Sequence, residues 1–314
     1  MDLYILAQQV LNGIILGSIY GLIAIGYSMV YGIIGMINFA HGDIYMISTY
    51  LTAICIAIFG IILKYLGLDY NILTLALTLI FTVFITAVYG YSVEKVAYKP
   101  LRGAARLSLL ISAIGMSLIL QNYVQISQGA DNKTVPNLMN GIIKFSFNNS
   151  SNSADFVQIS QVQLMIIIVS FVTMLILYNI VNKTKLGRMM RATAEDRVMA
   201  NILGINSDRT ISYVFILGAI AAAIAGFLVS INYGSFDFHM GFITGIKAFT
   251  AAVLGGIGSL PGAMIGGLIL GLAESLFSGF VNTDYKDVFA FALLIVILIF
   301  KPTGLLGKPE VEKV

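Results

Sequence analysis

The sequence predicts an all-α polytopic membrane protein, with about eight transmembrane helices, some broken or re-entrant, in a single bundle. Of its 314 residues, 58% are hydrophobic and only 11% are charged, against roughly 25% charged residues in soluble domains. The mean hydropathy of +0.92 is too high for a surface that water must wet. The sequence also lacks the tight alternation of apolar and polar residues that is typical of a membrane β-barrel.

The apolar runs predict the helices in order, because a helical crossing needs about 20 mostly apolar residues. The runs are Ile5 to Ile37, Ile44 to Leu63, Ile72 to Val93, Leu107 to Ile126, Leu164 to Val181, Ile211 to Ile231, Ala248 to Phe277 and Val288 to Phe300. The last run is short and needs flanking residues to span a bilayer. Bare backbone polar groups are costly in lipid, so helices are expected in every run.

Lys and Arg predict which helix ends face the cytoplasm, because short cytoplasmic loops are enriched in these residues. They concentrate in three segments: Lys95, Lys99, Arg102 and Arg106; Lys183, Lys185, Arg188, Arg191, Arg197 and Arg209; and Lys301, Lys308 and Lys313. We assign these segments to the cytoplasm and the Asn- and Ser-rich connector near 127–163 to an external loop. The sequons at Asn132 and Asn149 are interpreted as chance matches. Residues 1–314 are thus predicted to form one transmembrane domain.

Two regions leave the number of crossings open. Residues 4–63 contain no Lys or Arg, so they could form two long crossings with the N-terminus outside, or three shorter ones with it inside. One crossing separates Lys247 from the cytoplasmic segment near 183–209, so Lys247 is expected outside, at a membrane boundary. Ala248 to Phe300 could then hold one helix plus a re-entrant piece, or three crossings with breaks. The segment Gly255 to Gly262 supplies the break in either case, since dense Gly and Pro interrupt a helix. Glu274 is expected to reach the membrane interface.

A polar segment interrupts the first apolar region at Asn38, His41, Gly42 and Asp43. One interpretation is a short interfacial turn, in which Asn, Gly and Asp satisfy the backbone. The other is a broken helix whose exposed backbone ends line a translocation path. A metal site is not expected, because His239 is the only other histidine.

The glycine-rich stretch from Gly255 to Gly271 also has two interpretations. The spacings Gly258-x3-Gly262 and Gly267-x3-Gly271 place small residues one turn apart, which permits close helix contact in membranes. The same stretch is a candidate gate or pore lining. A phosphate-binding loop is a poor interpretation, because no Lys-Ser/Thr pair follows these glycines.

The cytoplasmic segment near 183–209 is predicted to contain a short amphipathic helix over Arg188 to Leu203, which ends at Gly204. Its apolar residues Val198, Met199, Ile202 and Leu203 fall on one side. Such a face needs a cover. The periodicity alone leaves open whether the helix lies on lipid headgroups or docks into a groove on a cytoplasmic protein.

Three segments resemble LivH-type branched-chain amino-acid permeases: residues 12–43, 187–206 and 251–267. The resemblance implies a permease subunit of an ATP-binding-cassette importer in the bacterial cytoplasmic (inner) membrane, carrying leucine, isoleucine and valine inward. It implies partners as well: a second, LivM-like permease, two ATPase subunits that bind ATP-Mg, and an extracytoplasmic amino-acid-binding protein, all around the lipid bilayer. No cofactor, enzymatic activity or nucleic-acid partner is expected on this chain, which has no Gly-x4-Gly-Lys-Ser/Thr segment.

The resemblance also assigns roles to residues. The segment that couples to the ATPase would include Gly187, Arg188, Arg191, Ala192, Glu195, Asp196, Ala200, Leu203 and Gly204. The candidates for the translocation path or gate are Asn38, His41, Gly42, Asp43, Gly255, Gly256, Gly258 and Ser259. Two alternatives remain open: a permease for urea or short amides, and a facilitator that needs no ATPase.

Overall fold

A computed structural model describes residues 3–68, 71–139, 141–145 and 156–307. The helices are α1 (Leu3–Ile34), α2 (His41–Tyr65), α3 (Asn71–Val93), α4 (Arg106–Gln128), α5 (Gln161–Lys183), α6 (Lys185–Glu195), α7 (Arg197–Ile202), α8 (Ser207–Tyr233), α9 (Met240–Gly255), α10 (Leu260–Phe280) and α11 (Lys286–Phe300). Within the described residues, seven helices are long and apolar enough to cross a membrane. The chain is therefore an all-α polytopic membrane protein, as predicted.

The first apolar region forms two helices. Helix α1 is continuous over 32 residues, about 48 Å at 1.5 Å per residue. Its first turns lie beside the connector between α4 and α5, where Gln8 Nε2 donates to the carbonyl of Gln158 at 3.2 Å. This geometry corresponds to the alternative of two long crossings.

The basic segments gather at one end of the bundle, which we call the basic end. Arg102, in the connector after α3, forms a 2.5 Å ion pair with Asp208 at the start of α8. A small cavity at the same end brings Gly32 of α1, Met190 of α6 and Gly258 together. We call the other end, where α1 begins, the loop end. The arrangement agrees with the orientation predicted from Lys and Arg.

The run Ala248 to Phe277 divides into two helices at residues 256–259, where the glycines predicted a break. Helices α9 and α11, with 16 and 15 residues, are shorter than the other helices around them. The chain returns to the break after α11, where the amides of Leu305 and Leu306 donate to the carbonyls of Leu254 and Gly255 at 2.9 Å. Three helices, α9 to α11, therefore occupy the region for which the sequence left the number of crossings open.

Glycines set the contact between α1 and α10. A Cβ on Gly267 would lie 2.5 Å from the backbone of Gly21, and one on Gly17 would lie 2.7 Å from the carbonyl oxygen of Gly267. Gly271 meets the backbone of Gly17 in the same way. The two helices thus pack backbone against backbone, which is the close contact that the Gly267-x3-Gly271 spacing predicted.

The external connector contains short antiparallel strands: β1 (Lys133–Thr134), β2 (Ile142–Phe145) and β3 (Val157–Ser160), with β4 (Ser235–Phe236) following α8. Strand β1 pairs with β4, and β2 pairs with β3. The amide of Val135 donates to the carbonyl of Gly234 at 2.8 Å, so this connector is tied to the loop end. Asn149, Lys308 and Lys313 lie outside the described residues.

Candidate translocation and coupling sites

The polar break lies inside the bundle. Helix α1 ends at Ile34 and α2 begins at His41, yet Asn38 and His41 are each only 2% exposed and Asp43 is fully buried. The break is therefore enclosed by the bundle and does not lie on its surface. The His41 ring packs against the backbone of Gly26, where an added Cβ would clash with His41 Nε2.

Hydrogen bonds tie the break to two other helical segments. The Tyr98 hydroxyl donates to Oδ1 of Asn38 at 2.7 Å, and Nε2 of Gln121 donates to Oδ1 of Asp43 at 3.0 Å. The other polar atoms, Nδ2 of Asn38, Nε2 of His41 and Oδ2 of Asp43, are buried without a partner among the described residues. Buried polar groups are normally paired, so these three atoms are exceptions within the described part of the chain.

The second predicted break forms a tight turn at the basic end. Gly256 and Gly258 have φ angles of 101° and 89°, which favour glycine. The Ser259 hydroxyl accepts a 3.2 Å hydrogen bond from the amide of Gly262 and caps α10. Gly255 packs directly against the backbone of Gly262.

The structure does not bring the two breaks together. Gly42 packs against Gly241 and Gly245 near the start of α9, whereas Gly255 is the last residue of that helix. Along α9, Gly255 lies about 15 Å from Gly245 and about 21 Å from Gly241, at 1.5 Å per residue. Helix α9 is thus the element that connects them.

The predicted single helix over Arg188 to Leu203 is wrong, because the segment bends at Asp196. This residue has φ −153° and ψ 111°, and its carboxylate accepts hydrogen bonds from the amides of Val198 and Met199 at 2.8 and 3.0 Å. Asp is a strong N-cap, and here it starts α7 instead of continuing α6.

The predicted coupling residues divide by exposure. The exposed ones are Arg188, Arg191, Glu195, Asp196, Leu203 and Gly204, while Ala192 is half-buried and Gly187 and Ala200 are buried. Gly187 packs on the backbone of Val181, and Arg191 donates to the carbonyl of Val181 at 2.6 Å. Through these two contacts, α6 packs against the end of α5.

Helix α7 exposes a set of large apolar side chains at the basic end. Their exposed fractions are 70% for Val198, 58% for Met199, 73% for Ile202 and 76% for Leu203. The sequence predicted that these residues share a face. Exposed apolar patches of this kind are typical of surfaces that contact another protein or a membrane.

An ion-pair network anchors this segment to the bundle. Asp208 pairs with Arg197 of α7 at 2.6 Å and with Arg102 at 2.5 Å. Arg102 also pairs with the fully buried Glu94, whose other oxygen accepts a 2.8 Å hydrogen bond from Ser212. Sequence reasoning missed this network, although Glu94 follows an apolar run as an acid near a membrane boundary.

Glu94 begins a π-helical turn, Glu94–Tyr98, that follows α3. Turns of this kind are rare and occur often at functional sites. Tyr98, the last residue of the turn, is the donor to Asn38. The network and the polar break are therefore joined through one short element.

A cavity of about 700 Å³ opens at the loop end. Its walls carry residues from α1, α8, α9, α10 and α11 and from the segment around β4. None of the predicted path residues lines it. Its lining includes Lys247, which pairs with Glu274 at 2.6 Å and with Asp287 at 2.5 Å. The charged residues Asp237 and Lys286 line it as well.

The structure corrects two expectations at this cavity. Lys247 does not mark a membrane boundary: it lies within α9 and is 5% exposed. Glu274 does not reach the interface: it is 2% exposed and accepts a 3.0 Å hydrogen bond from Tyr20. A lysine inside an apolar run was the available signal, because ionisable residues within spans usually have functional partners.

Metal-ligating side chains do not cluster: no group of three or more His, Cys, Asp or Glu suited to a metal ion occurs in the part of the chain that the structure describes.

Comparison with known proteins identifies the family to which the chain belongs. Residues 9–298 match the family described as branched-chain amino acid transport system / permease component. The chain is 52% identical over 309 residues to the high-affinity branched-chain amino acid transport system permease protein LivH of Escherichia coli K12, covering 98% of this chain and 97% of that protein. It is 51% identical to the corresponding permease protein BraD of Pseudomonas aeruginosa, covering 100% and 99%. It is 27% identical to a probable LivH of Methanocaldococcus jannaschii, covering 96% and 92%.

Proposed function

The chain belongs to the family of branched-chain amino-acid permease components. We propose that, as a subunit of an ATP-driven importer, it carries leucine, isoleucine and valine across the membrane. It is a transport component rather than an enzyme. The observation that carries this proposal is the 52% identity to LivH over nearly the whole chain. Relatives named for branched-chain amino acids favour this substrate class over urea or short amides.

The partners follow from this role. We propose a bacterial inner-membrane assembly with a second, LivM-like permease, two ATPase subunits that bind ATP-Mg, and an extracytoplasmic amino-acid-binding protein. The basic end would face the cytoplasm and the loop end would face the binding protein. The distribution of Lys and Arg supports this orientation.

The exposed face of α7 is the proposed contact with an ATPase. Val198, Ile202 and Leu203 would enter a cleft on that subunit, as an amphipathic helix enters a groove. Arg188, Arg191 and Glu195, exposed on α6, would flank the contact. Docking would remove this apolar surface from water, and each Å² buried would stabilise the complex by about 25 cal/mol.

The ion-pair network is the proposed route from the ATPase to the transport path. Closure of the ATPase subunits would move α6 and α7, and Arg197 would transmit that movement to Asp208 and Arg102. The π-helical turn and the bond from Tyr98 to Asn38 would then shift the polar break. Alternating access requires an element of this kind with two discrete arrangements.

The predicted path residues take different parts in this mechanism. Asn38, His41, Gly42 and Asp43 would form the moving break, since they are buried between helices. Gly255, Gly256, Gly258 and Ser259 would form the turn that closes the basic end. Helix α9 would carry movement between the two places.

Site-specific photo-crosslinking tests the ATPase contact. A photoreactive phenylalanine analogue replaces Ile202, and the matched control carries it at Tyr65, which is 91% exposed at the loop end. The proposal expects an adduct with the ATPase from position 202 and none from position 65. Adducts with lipid alone at position 202 would contradict the docking assignment and favour a headgroup-bound helix.

A further inference from the structure

We propose that the cavity at the loop end is a binding site for a zwitterionic amino acid, in which Lys247 binds the α-carboxylate and Glu274 and Asp287 bind the α-ammonium group. This inference rests on the proposed function and adds a substrate site to it.

The position of the cavity suits a substrate delivered from outside. Gln9 and Ser278 line it near the start of α1 and the end of α10, at the loop end, whereas Tyr20 and Lys247 lie further along their helices from that end. A volume of about 700 Å³ falls within the range of small-molecule sites. A ligand entering at the loop end therefore meets the ion pairs as it moves inward.

The charged groups at its base match the head of an amino acid. Lys247 Nζ lies 2.6 Å from Glu274 Oε1 and 2.5 Å from Asp287 Oδ1. A zwitterion inserted here would exchange these two pairs for three new ones: Lys247 with the carboxylate, and Glu274 and Asp287 with the ammonium group. No charge would be left unpaired, so binding would avoid the main cost of opening a buried ion pair.

The second carboxylate provides a partner for the incoming ammonium group. The base holds one cation and two carboxylates, so an arriving ammonium group has an acid available while Lys247 turns to the carboxylate. The Tyr20 hydroxyl, which donates to Glu274 Oε2 at 3.0 Å, keeps that carboxylate in place. Charge-assisted hydrogen bonds of this kind are strong and orient a ligand.

The walls of the cavity suit an aliphatic side chain. Ile15, Ile19, Val229 and Ile243 are apolar residues of a lining that also carries polar ones such as Asn12. Small-molecule sites typically combine such apolar walls with a few placed polar groups. A neutral amide or a sugar offers no charge to exchange for these ion pairs, so it would gain no comparable charge-assisted contact there. The cavity thus fits an aliphatic α-amino acid.

A buried ion pair needs an explanation beyond stability. Replacing such a pair by packed apolar side chains is often neutral or stabilising, so helix packing alone does not require these charges. Substrate binding gives these charges a role, because oppositely charged side chains pair strongly with both ends of a zwitterion.

Thiol protection tests binding without relying on transport. Thr244, which lines the cavity one turn before Lys247, is replaced by Cys in a Cys55→Ser background, and the whole importer is labelled with a membrane-impermeant maleimide. We expect leucine to slow labelling, and leucinamide and 4-methylpentanoate, which lack one charge each, to have little effect. A Tyr65→Cys control should label at a rate independent of leucine. Equal labelling with and without leucine at its solubility limit would overturn the site.

Substitutions separate substrate binding from a packing role. Lys247→Met alone could misfold, so the decisive variant is the neutral triple Lys247→Met, Glu274→Gln and Asp287→Asn, with Lys64→Gln on exposed α2 surface as control. We expect the triple variant to assemble normally while its KM for leucine rises about tenfold or more. The single variant Lys247→Arg, which keeps the positive charge, should show a smaller rise in KM. Normal KM in the triple variant would overturn the inference while leaving the proposed function intact. Absence of leucine uptake by the unmodified protein would instead count against the proposed function.

Discussion

Tyr98 and Asn38 are joined by a 2.7 Å hydrogen bond from the phenol to Oδ1 of the amide. One residue ends the π-helical turn after α3, and the other lies in the buried break between α1 and α2. Both are nearly inaccessible to solvent. This single bond connects the part of the protein that holds Arg102 to the part proposed to move during transport.

Tyr98→Phe should uncouple ATP hydrolysis from transport. The change removes one donor and leaves Asn38 Oδ1 buried without it, at a cost of about 1–3 kcal/mol. We expect leucine uptake to fall several-fold while ATPase association and activity persist. Uptake and ATPase activity measured on the same proteoliposomes check this, with the exposed Tyr65→Phe as control. Equal losses of both activities would show that the bond supports folding rather than coupling.

Arg102→Met should strongly destabilise the protein. It leaves Glu94, whose side chain is fully buried, as an uncompensated charge, which costs about 3–5 kcal/mol. Thermal unfolding in detergent measures the effect, and Arg209→Met, at an exposed arginine in the same region, should change little. The double variant Arg102→Met with Glu94→Gln should regain most of the loss. A double variant as unstable as the single one would argue against the ion-pair explanation.

Polar substitutions on α7 should weaken assembly without unfolding the chain. Met199→Ser and Ile202→Ser alter exposed side chains, and surface changes usually shift stability by less than about 0.5 kcal/mol. We expect co-purification of the ATPase to drop sharply and the melting temperature to stay unchanged. Ile61→Ser, on the exposed surface of α2, serves as control. Full ATPase recovery with the α7 double variant would rule out this face as the contact.

The same segment shows why charge reversal is a poorer test. Asp196 caps α7 and Arg191 bonds to the end of α5. Reversing either charge would disturb the shape of the segment itself, so lost ATPase association would have two explanations.

Gly267→Ala should destabilise the contact between α1 and α10. Its new Cβ would lie 2.5 Å from the backbone of Gly21, which cannot rotate away as a side chain could. Overpacking of this kind costs about 1–3 kcal/mol. Gly60→Ala is the matched control, because a Cβ there meets no atom within 4 Å and Ala favours the helix by up to about 1 kcal/mol. Thermal unfolding should therefore move in opposite directions for the two variants.

The sequence was sufficient to predict the spans because lipid imposes a simple rule: about 20 apolar residues in helical form. The runs Ile44 to Leu63 and Leu164 to Val181 lie within α2 and α5, each within three residues of the observed ends. The break near Gly256 was also predictable, since Gly and Pro act locally. These features depend on residues that are neighbours along the chain.

The sites could not be predicted to the same extent, because they depend on distant residues. Nothing near Lys247 in the sequence points to Glu274 or Asp287, yet all three meet at the base of the cavity. Asp208 likewise joins Arg102 to Arg197 only after the helices pack. The bend at Asp196 was locally encoded, but helix propensity elsewhere in the segment concealed it.

Leucine uptake by cells tests the central claim most directly. Labelled leucine is supplied to cells that lack other leucine importers, before and after deletion of this chain, after its restoration, and with ATP depleted in a parallel arm. We expect uptake to vanish on deletion, return on restoration and collapse without ATP. Unchanged uptake after deletion would contradict the assigned substrate, and uptake that survives ATP depletion would contradict an ATP-driven importer and favour a facilitator.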